Sequence, residues 1–173
     1  MKLSTTILIA AMCSSAFAQT ELKRDYSADT KTIDSTVKSL YDVISGAAGQ
    51  KRDWDRFRNL FAKGARLIPT YKQGEKTVST SLSPDDYVIM GGPLLEKDGF
   101  FESEIGRKLE LYGPIAQVFS SYESKKAASD EKPFERGINS IQLSFDGKRW
   151  WIQSVLWAAE SAAGPIPEEF IKK

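Results

Sequence analysis

Between Asp29 and Gly64 the apolar side chains recur with the period of a helix, and beyond Phe100 they alternate with a period of two. Ile33, Val37, Leu40, Tyr41 and Ile44 form one stripe, which predicts a first helix capped by Asp29 or Thr30 and stopped at Gly46. Asp53 reads as the N-cap of a second helix carrying Trp54, Phe57, Leu60 and Phe61 on one face and closed by Gly64. Two short strands follow, 65–72 and 76–82, with a turn at Gln73-Gly74-Glu75; Pro69 suits an edge or a bulge. Ser83-Pro84-Asp85-Asp86 combines a serine cap, a proline at the first helical position and acids at the positive end of the helix dipole. The third helix it starts carries Tyr87 and Met90 and is expected to break near Gly91-Gly92-Pro93.

The alternating half predicts four long strands. Phe101, Ile105, Leu109 and Leu111 share one face of the first, and Gly113-Pro114 turns the chain into the second. Asp146-Gly147 predicts a two-residue hairpin turn between the last two. That register places Phe145 opposite Lys148, Leu143 opposite Trp150, Ile141 opposite Ile152 and Asn139 opposite Ser154. Three helices followed by strands of this length predict an α+β domain with the helices gathered on one side of a bent antiparallel sheet. Ile105, Leu109, Ile141 and Ile152 are expected to share its interior.

The first residues follow a different logic. Lys2, the apolar run from Leu3 to Met12, and Ala16-Phe17-Ala18 have the order of an export signal cleaved after Ala18. Residues 19–28 are then a flexible linker, 29–161 the domain and 162–173 a C-terminal tail. The expected destination is the periplasm or the medium, without stable membrane insertion after cleavage. Lipoprotein anchoring through Cys13 is the rival reading, with Met12 in the place where a small residue is usual. Cleavage removes the sole cysteine, so the 155 remaining residues must be held by their core. It also removes Lys2, leaving 23 basic against 23 acidic side chains, interspersed along the chain. Nucleic-acid binding wants a concentrated basic face, and none is legible.

The chain has no histidine. Together with the expected loss of Cys13, this removes serine–histidine hydrolysis, thiol nucleophiles and the usual zinc sets. No cofactor or metal motif is legible, and what remains is carboxylate, tyrosine, arginine, hydroxyl and amide chemistry.

The element order, together with the segments 40–46 (LYDVISG), 52–57 (RDWDRF), 65–69 (ARLIP), 115–123 (IAQVFSSYE) and 136–143 (RGINSIQL), resembles the nuclear transport factor 2-like (SnoaL-like) superfamily over Asp29 to Glu160. A narrower resemblance is to an exported bacterial subgroup of that fold, whose members commonly carry histidines where this chain has Gln117 and Gly106. The resemblance implies a strongly bent antiparallel sheet wrapped around the three helices as a cone with a pocket inside, and pairing of copies through the outer sheet face. It leaves activity open, because the scaffold serves isomerases, dehydratases, hydrolases and binders. Ketosteroid isomerase, of the same superfamily, works with an aspartate base and with a tyrosine and a protonated aspartate as donors.

Pocket candidates follow from phase. Tyr41 lies on the buried stripe, Arg107 is in phase with Leu109 and could hold a carboxylate-bearing ligand, and Asn139 faces Ser154. Core packing, an ion pair and a cross-strand polar pair are the respective structural alternatives. Asp53 and Asp55 are explained by helix capping. Glu102, Glu104 and Glu110 alternate on one strand face across from Gln117 and Glu123. Such a row suits a wetted surface, acid–base work or calcium. Trp151, Val155 and Trp157 on the outer face suggest a homodimer interface. Three readings remain open: a module binding a small, partly apolar ligand; a cofactor-independent isomerase, dehydratase or hydrolase; and a structural dimer with a filled cone.

Overall fold

A computed structural model describes residues 24–171. The expected signal segment, its cleavage site and Cys13 lie outside the described residues.

Helix α1 (Ile33–Ile44) buries the stripe read from its sequence, with Val37 fully enclosed. Its cap is Thr32, reciprocated by Ser35, and not Asp29 or Thr30. Asp29 instead accepts a two-pronged pair from Arg56, at 2.7 and 2.8 Å. Helix α2 (Trp54–Asn59) starts at Asp53 as expected, whose carboxylate accepts from the Arg56 amide at 3.0 Å. It stops at Leu60, and the chain turns at once into β1 (Phe61–Gln73), which runs through Gly64. Residues 24–28 are tied down: Arg24 and Tyr26 both donate to Asp53.

Strand β2 (Lys76–Ser79) pairs antiparallel with β1. Pro69 accepts from the Thr80 amide but has no N–H to return, so the β1–β2 ladder breaks there before Leu67 and Leu82 pair again. Helix α3 (Pro84–Asp98) begins at the Ser83–Asp86 capping box. It continues through Gly91-Gly92-Pro93 instead of breaking. The amide that Pro93 lacks would have met the Ile89 carbonyl, and Ile89 is exposed, so water can serve that carbonyl.

Strands β3 (Phe101–Tyr112), β4 (Ile115–Lys125), β5 (Glu135–Phe145) and β6 (Trp150–Ala159) complete a six-stranded sheet of order β2-β1-β6-β5-β4-β3. All neighbours are antiparallel except β1 and β6, which are parallel, so the sheet is mixed. Its inner face meets α1, α2 and α3 around Val37, Phe57, Leu60, Ile141 and Ile152, each fully buried. Side chains of this size contribute about 1.5–3 kcal/mol apiece on burial.

Two bulges decide which side chains point inward. In β3, Glu104 pairs with Tyr122 and Gly106 with Ser121, so Ile105 is an extra residue. In β6, Ser154 pairs with Gln142 and Ile152 with Leu143, so Gln153 is extra. The expected inner quartet therefore holds only in part. Ile141 and Ile152 are enclosed, Ile105 is used up in the bulge, and Leu109 keeps the inward phase but is half exposed on the edge strand.

The tail is not loose. After the single turn α4 (Glu160–Ala163) it crosses the outer sheet face, burying Ile166 and setting Phe170 against Phe119.

Candidate functional site

The helices and the inner sheet face enclose a cavity of about 280 Å³. Leu40 and Ile44 of α1, Phe57 of α2, and Tyr87, Leu94 and Leu95 of α3 form one side. Phe100, Glu102, Tyr122, Glu135, Asn139, Val155 and Trp157 form the other. The cavity is well above the ~150 Å³ that holds a benzene and near the lower bound of about 300 Å³ for ligand sites.

Glu102, partly buried, is a carboxyl set in this apolar lining beside the buried Asn139. Its backbone is fastened to the end of α1: its amide donates to the Ser45 hydroxyl at 3.0 Å, and Phe100 exchanges two hydrogen bonds with Gly46. Gly46 is needed there, since a Cβ would come within 2.5 Å of the buried Arg52 guanidinium. That guanidinium donates to the carbonyls of Ile44, Gly46 and Leu95, binding α1 to α3 at the cavity rim.

Oε2 of Glu102 accepts from Ser124 at 3.0 Å and Oε1 from Asn139 Nδ2 at 3.3 Å. Among the described residues no cation pairs with it. Burial pushes its carboxyl up to about 7, and the charge of Glu135 adds to the rise, against the two hydrogen bonds. Glu135 sits exposed and accepts from Tyr122.

Behind the cavity wall runs a second polar chain. Asp34 and Glu104 grip Arg107, at 2.7 and 2.6 Å. Ser120 donates to the other oxygen of Glu104, and Tyr41 meets Ser120 at 2.7 Å. Because the Ser120 proton is committed to Glu104, the Tyr41 proton must point to Ser120. Tyr41 then accepts from Asn139 Nδ2 at 3.1 Å. The two hydrogens of the Asn139 amide thus serve Tyr41 and Glu102.

This arrangement revises several expected roles. Tyr41 is buried but spends its donor away from the cavity, and burial holds its hydroxyl well above the ordinary range. Arg107 does not line the cavity and is already neutralised. Asn139 lines it as expected. Ser154 does not, because the hairpin register differs. A four-residue loop replaces the two-residue turn: Asp146 accepts from the amides of Lys148 and Arg149, and Phe145 pairs with Trp150. With the Gln153 bulge, Asn139 faces Trp157 and Ile141 faces Val155. Val155 and Trp157, expected outside, therefore line the cavity. Trp151 alone of the three faces outward, donating to Asp146 at 2.7 Å and stacking under Arg149 at 3.7 Å.

The carboxylate row is split likewise. Glu102 and Glu104 turn inward, while Glu110 and Glu123 stay outside opposite Gln117 and Ser103, so the three acids weighed as a calcium set do not converge. Among the described residues no group of three or more acids could hold a metal ion. Gly106 and Gln117, where the resemblance suggests histidine, both lie on the outer face beside the tail. A Cβ on Gly106 would come within 2.4 Å of the Phe170 carbonyl.

Tyr87, read from the pattern only as a residue of the third helix, belongs to the cavity wall. It lines the cavity, stacks on Phe57 at 5.3 Å, and among the described residues its hydroxyl has no partner. Burial, and then the charge of Glu102, raises its pKa. Tyr87 and Glu102 are thus an open donor and a near-neutral carboxyl in one apolar chamber.

No family model and no curated protein matches the chain. Solved structures do. A nuclear transport factor 2-like protein of unknown function from Pseudomonas putida KT2440 is similar with a TM-score of 0.56 at 12% identity, covering 81% of this chain and 89% of that one. A protein of unknown function with a cystatin-like fold from Nostoc punctiforme gives 0.55 at 9% identity, over 73% and 87%. At such identities the likeness speaks for the fold. The curled mixed sheet, the three helices against its inner face and these neighbours agree: the chain has a cystatin-like, nuclear transport factor 2-like fold.

Proposed function

We propose that this chain binds a small, largely apolar organic molecule inside the cone, with Glu102 as its polar anchor. One observation carries this reading: a carboxyl with no counter-cation among the described residues lines an otherwise mostly apolar cavity. Burying such a group costs stability unless something is gained by it. Binding is expected to take place after export, in the periplasm or outside the cell.

The raised carboxyl favours a second, compatible reading, proton transfer. A group titrating near 7 is present in both forms at neutral pH, the condition for an efficient general acid or base. Glu102 would take a proton from a carbon next to a carbonyl, and Tyr87 would donate to the oxygen on which charge develops. Asn139 orients the carboxyl through its amide, and the apolar walls keep water from competing.

The test uses Gly91, which lines the cavity and has nothing within 4 Å of where a Cβ would stand. Gly91→Leu fills that space, and leucine gains about 0.8 kcal/mol of helix propensity over glycine. The neutral dye Nile red should brighten with the wild-type protein and not with Gly91→Leu, both showing the same far-ultraviolet circular dichroism. Equal brightening of both would overturn the reading.

A further inference from the structure

The cavity walls restrict the chemical class of the ligand. Among the described residues, the lining contains two carboxyl side chains, Glu102 and Glu135, and no lysine or arginine. Five aromatic rings also line it: Phe57, Tyr87, Phe100, Tyr122 and Trp157. The buried Arg52 and the partly buried Arg107 are already committed. Arg52 is saturated by backbone carbonyls, and Arg107 by Asp34 and Glu104. An anionic ligand would therefore meet two acids and no counter-charge.

Resting on the binding reading above, we propose that the cavity selects an organic cation, an amine or quaternary ammonium carried on a short apolar body, with the positive head between Glu102 and the aromatic walls. Ring faces attract a desolvated cation by up to about 2 kcal/mol, and Tyr87 touches both Phe57 on the helix side and Trp157 on the sheet side of the chamber. Acceptors also outnumber free donors. Each oxygen of Glu102 receives a single protein hydrogen bond, leaving further lone pairs, and among the described residues Oδ1 of Asn139 has no partner. An amine head would donate its N–H groups to these acceptors; a quaternary head has no N–H and would be held by the charge of Glu102 and the ring faces.

The groups packed against Glu102 make the expected pH dependence one-sided. Tyr41 and Tyr87 face it from the helices, Tyr122 and Ser124 from β4, and Glu135 and Asn139 from β5; none carries positive charge. A bound cation favours the ionised carboxylate, so affinity rises with pH through the region where Glu102 titrates. A neutral ligand held by the protonated carboxyl would show the opposite slope.

Three probes of one size separate these outcomes by calorimetry on the folded chain: benzyltrimethylammonium, its neutral carbon isostere neopentylbenzene, and 3-phenylpropionate. The cation should bind at least tenfold more tightly than the isostere at pH 8. That margin should shrink below pH 6 and be abolished by Glu102→Gln, and the anion should not bind. An isostere binding as tightly as the cation, or an unchanged cation margin in Glu102→Gln, overturns the cation assignment while leaving the cavity reading intact. Failure of all three probes together with Nile red overturns both. The wild-type pH slope needs no variant, so the assignment stays testable even if Glu102→Gln misfolds.

Discussion

Glu102 and Glu104 leave the same inward face of β3 two residues apart and meet opposite surroundings. Glu104 has a guanidinium 2.6 Å away and the Ser120 hydroxyl on its other oxygen, and it serves as a structural tie. Glu102 has only a serine and an amide, faces the cavity, and is lifted to about 7. The local sequence Glu-Ser-Glu does not distinguish them. The difference lies in what the neighbouring elements present: Arg107 one turn of the bulge away for one, aromatic rings and Glu135 for the other. A carboxyl at a bent sheet becomes scaffold or reagent according to whether a cation reaches it.

Breaking the scaffold half should have the largest effect. Arg107→Met leaves Glu104, whose side chain is 18% exposed, without its cation. Loss of about 3 kcal/mol is expected in urea unfolding, most of it restored by the double change Arg107→Met with Glu104→Gln. Sharpening the other half should stabilise. The Glu102 carboxyl is raised above its unfolded value, so its contribution is fully present below about pH 4.5 and is lost as pH rises through 7. Glu102→Gln should match wild type near pH 4 and exceed it by about 2 kcal/mol at pH 8. A smaller change is expected where the two halves join. Tyr41→Phe removes the hydroxyl between Ser120 and Asn139 and should cost about 1 kcal/mol. Asp34, 85% exposed at the outer end of the chain, should contribute nothing measurable: Asp34→Asn is expected to leave the urea midpoint unchanged.

Much of the fold was legible because local chemistry and period agree. The Ser83 and Asp53 caps, the α1 stripe and the Gly113-Pro114 turn all stand as read. The site was less legible, for a definite reason. Period-two reading carried through Ile105 and Gln153 reverses the assignment of every residue on one side of each bulge. It put Glu102 on a wet face, and it put Val155 and Trp157 outside. Asp146-Gly147 misled similarly, because the Asp146 side chain captured two amides and built a longer loop. One signal was present. The inner row of β4 ends in Ser120, Tyr122 and Ser124, hydroxyls on a core-facing row that needs partners, and Glu102 and Glu104 are those partners for two of them.

The titration of Glu102 tests the account most directly. Carbon-13 detection of the side-chain carboxyls, with Glu102 assigned by the signal missing from Glu102→Gln, should give a midpoint near 7 in the free protein and a lower one with benzyltrimethylammonium bound. A midpoint near 4 in the free protein would mean that the carboxyl is solvated or paired after all, and that the chamber built around it is not the site.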